Sequence, residues 1–272
     1  MIKLIALDLD GSTLDNKGEL VPENIRAVKE AMAMGVQVAV ITGRMFPSAR
    51  RHAQALGVKL PIIAYQGAQL RDVKTGEVLF STHLSGVMAS DVVSLCDIND
   101  LYAQTYVDDE LCVSSINPHV EAYAKYSGVP IKEVGNLAHW LLENNDICEQ
   151  GVPKVLAIGE EAKIDKLWPI FANFYGKQVY ITRSASGFLE FVNPKASKGI
   201  ALTALAESLG IKKEEIMACG DNHNDLPLLQ AAGLKIAMGN ATQKLKYIAD
   251  FVALSNEQAG VAQAIDKFVL NK

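Results

Sequence analysis

The chain has 272 residues, a formal net charge of −5, 49% hydrophobic residues and 21% charged residues. That balance fits a globular protein with a sizeable core and excludes a disordered or fibrous chain. The acidic balance, with no Lys/Arg run, speaks against nucleic acid as a partner.

No stretch approaches the roughly 20 apolar residues of a membrane-spanning helix. Met1-Ile2-Lys3-Leu4 leads into a short apolar run without the features of a signal peptide, so a cytoplasmic location without a membrane partner is expected. Cys96, Cys112, Cys148 and Cys219 show no C-x-x-C spacing, and they read as reduced thiols rather than a zinc site or disulfide framework.

Along the chain, Lys3 to Leu7 is a short apolar run that ends in acids, as expected of a buried parallel strand stopping at a crevice. Pro22 to Met34 reads as a helix with Ile25, Val28 and Met32 on one face and Gly35 beyond its end. Val36 to Ile41 is the next strand, Pro47 to Leu56 a helix closed by Gly57, Pro61 to Ala64 a third strand, and Ala68 to Phe80 a hairpin turning near Thr75-Gly76. Alternating strands and helices predict an α/β fold with a parallel sheet.

From about residue 83 to 192 the pattern changes. Helices are expected at Ser85 to Ile98, His119 to Tyr126 and Lys163 to Phe174, and strands at Leu101 to Tyr106, Glu110 to Val113, Lys154 to Ile158, Gln178 to Arg183 and Phe188 to Val192. This reads as an α+β insertion with its own sheet, splitting a core made of residues 1–82 and 193–272. Alternation resumes with Ser197 to Leu209, Ile216 to Cys219, Asp225 to Ala232, Leu234 to Met238, Gln243 to Ala249, Phe251-Val252 and Val261 to Leu270.

Four distant segments carry the chemistry: Asp8-Leu9-Asp10-Gly11-Ser12-Thr13, Ile41-Thr42-Gly43-Arg44, Lys198-Gly199 and Gly220-Asp221-Asn222-His223-Asn224-Asp225. Each follows an apolar run or opens a helix, so all four can meet in one crevice. A phosphate ester hides its phosphorus behind negative oxygens, so a carboxylate attacks it only when a cation and hydrogen-bond donors offset the repulsion. Asp8 is the candidate nucleophile, and Asp10, two residues on, a candidate general acid and base. Asp221 can join Asp8 around Mg²⁺, a hard ion that takes oxygen ligands. Thr42, Gly43 and Lys198 offer a hydroxyl, a backbone N–H and a positive charge to phosphoryl oxygens. Arg44 either binds substrate or pairs with a nearby acid. Tyr102, Tyr106 and Trp140 read as filling the insert's core, and Gly239-Asn240 as a turn.

These motifs resemble those of haloacid dehalogenase-like phosphohydrolases, more narrowly Cof-type phosphatases with a large α+β cap. The resemblance implies a Rossmann-like parallel-sheet core with an inserted cap domain, and Mg²⁺ as cofactor. It implies that Asp8 becomes an aspartyl-phosphate and that Asp10 is the acid and base whose backbone carbonyl also meets the metal. Asp221 would be the remaining metal carboxylate, and Thr42 and Lys198 the phosphate-binding hydroxyl and lysine. Leu9, Gly43 and Asn224 would add phosphate contacts, with Asp225 in support of the metal or Lys198. Ser12 and Gln66 depart from the family pattern, which often has Thr and Asn there; Ser12 is expected to keep the turn's hydrogen bond. The implied substrate is a small phosphorylated metabolite such as a sugar phosphate or phosphorylated cofactor. Two rival readings are a phosphomutase or phosphotransferase, and a non-catalytic sensor of a phosphorylated ligand.

Overall fold

Leu4–Leu7 forms β1, a strand whose four residues are all buried. Its unbroken apolar run follows from burial on both faces, since a parallel sheet is covered on each side by helices. The computed structural model describes Met1–Lys272, and the chain divides into two compact units, Met1–Phe80 with Ser197–Lys272, and Ser81–Ala196.

The first unit continues through α1 (Pro22–Ala33), β2 (Gln37–Val40), α2 (Phe46–Leu56), β3 (Ile62–Ala64), β4 (Gln69–Arg71) and β5 (Val78–Ser81). Pro22 and Pro47 sit in the first turns of α1 and α2, where a missing N–H costs no helical hydrogen bond. Gly57 closes α2 in the left-handed conformation.

The second unit runs through α3 (Gly86–Ile98), β6 (Tyr102–Val107), β7 (Glu110–Val113), α4 (Pro118–Ser127), β8 (Ile131–Glu133), α5 (Leu137–Glu143), α6 (Asn145–Gln150), β9 (Val155–Ile158), α7 (Glu161–Tyr175), β10 (Tyr180–Thr182) and β11 (Phe188–Val192). Its six strands, in the order β10-β11-β9-β6-β7-β8, form one sheet in which only β7 and β8 run parallel. Val92, Val93 and Cys96 of α3, Leu141 of α5 and Phe171 of α7 pack into one buried cluster with Ala103, Ala157, Leu189 and Phe191 from the sheet. Trp140 packs against that cluster, and Tyr106 is buried with its hydroxyl paired to Tyr123.

The first unit then resumes with α8 (Lys198–Ser208), β12 (Ile216–Gly220), α9 (Leu226–Ala231), β13 (Leu234–Ala237), α10 (Gln243–Ile248), β14 (Phe251–Val252) and α11 (Gly260–Ile265). Its main sheet has the order β14-β13-β12-β1-β2, with every pair parallel. Leu7 registers with Cys219 on one side and Val40 on the other, so β1, β2 and β12 end level with one another. The residues that follow them, Asp8, Thr42 and Asp221, therefore emerge along one edge. No helix is long and apolar enough to cross a membrane.

Two expectations need correction. The third strand is not a full member of the parallel sheet: β3 pairs antiparallel with β4 in a separate three-stranded sheet, touching β2's extension only through the bridge Ile41↔Ile63. Directly after β3, Tyr65, Gln66 and Gly67 all have positive φ, which turns the chain back on itself before β3 can extend. The short β8 and the helices α5 and α6 go beyond the expected elements, and only the two helices carry a local sequence signal. Their signal lies in capping: Asn136 and Asn144 each accept a backbone N–H of the helix that follows.

The turn after β1 is anchored by distant asparagines. Asn24, fully buried in α1, donates from Nδ2 to the Thr13 carbonyl (3.0 Å) and accepts at Oδ1 from the Ala262 N–H (2.9 Å), one of the amides that α11 cannot pair internally. Asn256 donates to the Leu14 carbonyl at 3.0 Å. Replacing Asn24 by Ala strands a buried carbonyl and a buried N–H at about 1–3 kcal/mol each. Asn24→Ala should therefore lower the unfolding free energy by about 2–6 kcal/mol in urea titrations; an unchanged midpoint and slope would refute the anchoring role.

Candidate active site

Asp8 is the first residue beyond β1. Its N–H donates to the Cys219 carbonyl (3.2 Å), and its carbonyl accepts from the Thr13 hydroxyl (2.5 Å), so the turn closes on the residue it presents. The hydroxyl that makes this closure is Thr13, not Ser12, whose Oγ is buried without a partner. That corrects the expectation for Ser12. Gly11 has φ +70°, and a Cβ there would lie 2.2 Å from Asp221 Oδ2. Only glycine lets this turn pass so close to the second acidic loop. Asn240, read from sequence as part of a plain turn, donates to the Gly11 carbonyl at 2.8 Å.

Lys198 opens α8 and is 1% exposed. Its Nζ lies 2.6 Å from Asp8 Oδ1 and 2.6 Å from Asp225 Oδ1. Asp225 Oδ2 in turn accepts the backbone N–H groups of Asp221 (3.0 Å) and Asn222 (3.1 Å), so both of its oxygens are occupied. Asp8, Asp221 and Asp225 each bring a carboxylate oxygen within 4.8 Å of the others. Asp225 joins the two expected metal carboxylates through its side chain, whereas the part expected of Asp10 falls to its backbone carbonyl.

Crowding of acids in a buried place governs the electrostatics. Burial, followed by the Asp225 charge, pushes the Asp8 carboxyl up to about 8, against the opposing pull of Lys198. Burial and the charges of Asp225 and Asp8 raise Asp221 well above the ordinary carboxylate range. Burial alone would discharge Lys198, but Asp225 and Asp8 outweigh it and hold the ammonium above the usual lysine value. Cys219, behind Asp8, is a buried thiol pushed up to about 12 by desolvation, and so is inert.

Asp10 faces a different partner. Arg44 grips its carboxylate with both arms, Nε to Oδ2 at 2.8 Å and a terminal nitrogen to Oδ1 at 2.6 Å. Of the two roles open for Arg44, the geometry selects pairing with an acid. The Arg44 N–H donates to Thr42 Oγ1 at 3.1 Å, which leaves the Thr42 hydroxyl hydrogen to point elsewhere. Gly43 lies between these two residues just past the end of β2. Leu9 is buried beside Asp8, and its carbonyl accepts from Leu14. Asn224 is held by Gln66, Nδ2 to Oε1 at 3.2 Å. His223 is capped by Asn222, whose Oδ1 accepts the His223 N–H, and lies outside the acid trio.

Within the first unit, then, Asp8, Asp221, Asp225 and Lys198 are gathered into one cluster, Asp10 and Arg44 into a pair, and Gln66 and Asn224 into another. Sequence reasoning missed Asn24, Asn240 and Asn256 around the Asp8 turn, and Ser48 and His52 behind Arg44. Ser48 and His52 had one usable signal, their i, i+4 spacing on α2 in step with Arg44.

A parallel sheet with polar groups collected beyond the carboxyl ends of its strands defines an α/β protein of the open-sheet kind, in which that edge is the usual place for a ligand. The profile of the haloacid dehalogenase-like hydrolases matches residues 5–265, and the chain belongs to that family. It is similar to YwtE of Bacillus subtilis (strain 168), a 5-amino-6-(5-phospho-D-ribitylamino)uracil phosphatase, at 30% identity over 98% of each chain. It is also similar to YbhA of Escherichia coli (strain K12), a pyridoxal phosphate phosphatase, at 28% identity over 97% of each chain. A solved haloacid dehalogenase-like hydrolase from B. subtilis, 28% identical, superimposes with a TM-score of 0.87 over 98% of this chain and 100% of that one.

The raised Asp8 pKa predicts a pH dependence of stability. A carboxyl that titrates at 3.8 when unfolded and about 8 when folded stabilises the fold fully below its unfolded value and loses that contribution as pH rises through about 8. Buried His52, pushed down to about 4 by desolvation and by Arg44 and Arg51, acts oppositely and destabilises below about pH 6.5. Comparing wild type with Asp8→Asn in chelator isolates the first effect. The variant's Tm advantage should grow from about pH 5 to above pH 8; a pH-independent difference would refute the shift.

Proposed function

We propose that the protein is a Mg²⁺-dependent phosphatase that hydrolyses small phosphomonoesters through an aspartyl-phosphate on Asp8. The observation that carries this reading is the Lys198 ammonium held 2.6 Å from both Asp8 and Asp225 at the end of β1. Lys198 occupies Asp8 Oδ1, so Oδ2 is the oxygen for attack on phosphorus. Family membership and the two phosphatases named above support the reaction class, and their small phosphorylated substrates support the substrate class.

The donor set fits a hard divalent cation: clustered carboxylate oxygens, with two carboxyls driven toward protonation by burial and by the negative charge of neighbouring acids. Asp8 and Asp221 would hold Mg²⁺ together with the Asp10 carbonyl, whereas Asp225 is already committed to Lys198 and two amides. Bound there, the metal supplies positive charge against the oxygens of the incoming phosphoryl group.

The remaining work falls to the chain's own groups. The Thr42 hydroxyl, the Leu9 and Gly43 amides, the Asn224 amide and Lys198 bind phosphoryl oxygens. Asp8 Oδ2 forms a bond to phosphorus as the ester oxygen leaves with a proton from Asp10. Asp10, now ionised, takes a proton from water, whose oxygen displaces Asp8 and releases inorganic phosphate. The inserted unit, Ser81–Ala196, is assigned the choice of leaving group and the role of cap.

Phosphate release from a panel of phosphorylated metabolites, with Mg²⁺ and with chelator, tests the proposal. Expected are metal-dependent release and a loss of about 10⁴-fold or more in folded Asp8→Asn. Near-normal turnover in that variant, or no release by folded wild type from any compound, would overturn it; isomerised sugar phosphate in place of free phosphate would favour a mutase.

A further inference from the structure

Asp10 is partly open, 40% of its side chain being exposed, and Arg44 bonds both of its oxygens. The guanidinium of Arg44 is by contrast buried, its side chain 6% exposed. A buried guanidinium needs acceptors on all its sides. Those on the side away from Asp10 come from α2, whose Ser48 and His52 are buried on one face, four residues apart. One terminal nitrogen of Arg44 donates to Ser48 Oγ at 3.1 Å and approaches His52 Nε2 at 3.3 Å.

Nε2 of His52 also accepts from Arg51 Nε at 3.2 Å. Two guanidinium donors aimed at one ring nitrogen require that it be unprotonated, with the ring proton on Nδ1. His52 is therefore a fixed neutral acceptor. Together with the Arg44 N–H on Thr42, this pins both ends of the Arg44 residue, backbone and head.

We propose that Ser48 and His52 are positioning residues that set the plane of the Arg44 guanidinium and, through its two-armed grip, aim the Asp10 carboxyl for proton transfer. The inference rests on the reading of Asp10 as proton donor to the leaving group. Proton transfer needs the donor oxygen about 2.6–3.2 Å from its target. A long arginine side chain holds a partner to that tolerance only if its own head is fixed.

The test uses leaving groups of different need. p-Nitrophenolate departs without a proton, whereas the alkoxide of glycerol 2-phosphate does not. The kcat/KM for each ester, measured with Mg²⁺, reports the step in which the leaving group departs. In Ser48→Ala and His52→Phe, the value for glycerol 2-phosphate should fall about 10-fold or more beyond any fall for p-nitrophenyl phosphate, part of the 10²–10⁴ that a general acid contributes. His52→Gln, which restores an acceptor near the Nε2 position, should recover most of that ratio. A merely structural role would lower both esters together. Asp10→Asn is the benchmark. If it discriminates between the esters while Ser48→Ala and His52→Phe do not, the positioning role is overturned and the reading of Asp10 stands. If Asp10→Asn lowers both equally, the proton-donor reading fails, and the inference with it. Should His52→Phe not fold, Ser48→Ala decides alone.

Discussion

One ammonium group organises the first unit's site. Lys198 is the cation shared directly by Asp8 and Asp225, and its burial makes each of these contacts costly to lose. Removing one member of a buried ionic set leaves the others uncompensated, at about 3–5 kcal/mol. The structure accordingly fixes Lys198 from several directions. Ser197 caps α8 by accepting the Ile200 N–H at 3.1 Å, and the next residue, Gly199, comes so close to α9 that a Cβ would lie 2.2 Å from the Pro227 carbonyl. A helix start pressed that tightly against its neighbour cannot shift, so the lysine head stays where the acids converge.

The motifs at strand ends were legible because a buried parallel strand is an uninterrupted apolar run whose end marks the functional edge. Asp8, Thr42 and Asp221 follow β1, β2 and β12 in that way, and the backbone register alone brings them level. Less legible were groups whose role comes from the far side of a contact. Asn24 looks like an ordinary polar residue near the start of a helix; nothing local says that it bridges the Asp8 turn and α11. Gln66 stood out only as a departure, and its positive φ and hold on Asn224 depend on a turn that β3 makes by leaving the parallel sheet. For Arg44 the sequence does not choose between substrate and acid, because the choice depends on where Asp10 points.

Buried charge is not by itself the mark of the site. In the second unit, Lys154 and Glu190 are buried and paired at 2.5 Å, with Tyr106 5.2 Å beneath the ammonium and Ser184 bonded to the other carboxylate oxygen. There one acid meets one base, with a hydroxyl on the acid and an aromatic ring under the base, so neither charge is in excess. The first unit's cluster differs in having more carboxylates than cations. That imbalance adds to burial in raising Asp8 and Asp221, and it marks a place where further positive charge is welcome.

The link between Asn193 and His83 bears on how such a chain can assemble at all. The central strands β1 and β12 are neighbours in space but lie on either side of the whole second unit in sequence. Asn193 Nδ2 donates to the His83 carbonyl at 2.7 Å, so the entrance and exit of that unit are tied together within it. Once those ends are joined, the intervening residues drop out of the loop that β1 and β12 must close. Even an unfolded insert of this length would add only about 0.6 kcal/mol for each doubling of the loop. A fold whose insertion returns to its own point of departure can thus exchange or enlarge that insertion while its central strand pairing keeps nearly the same entropic cost.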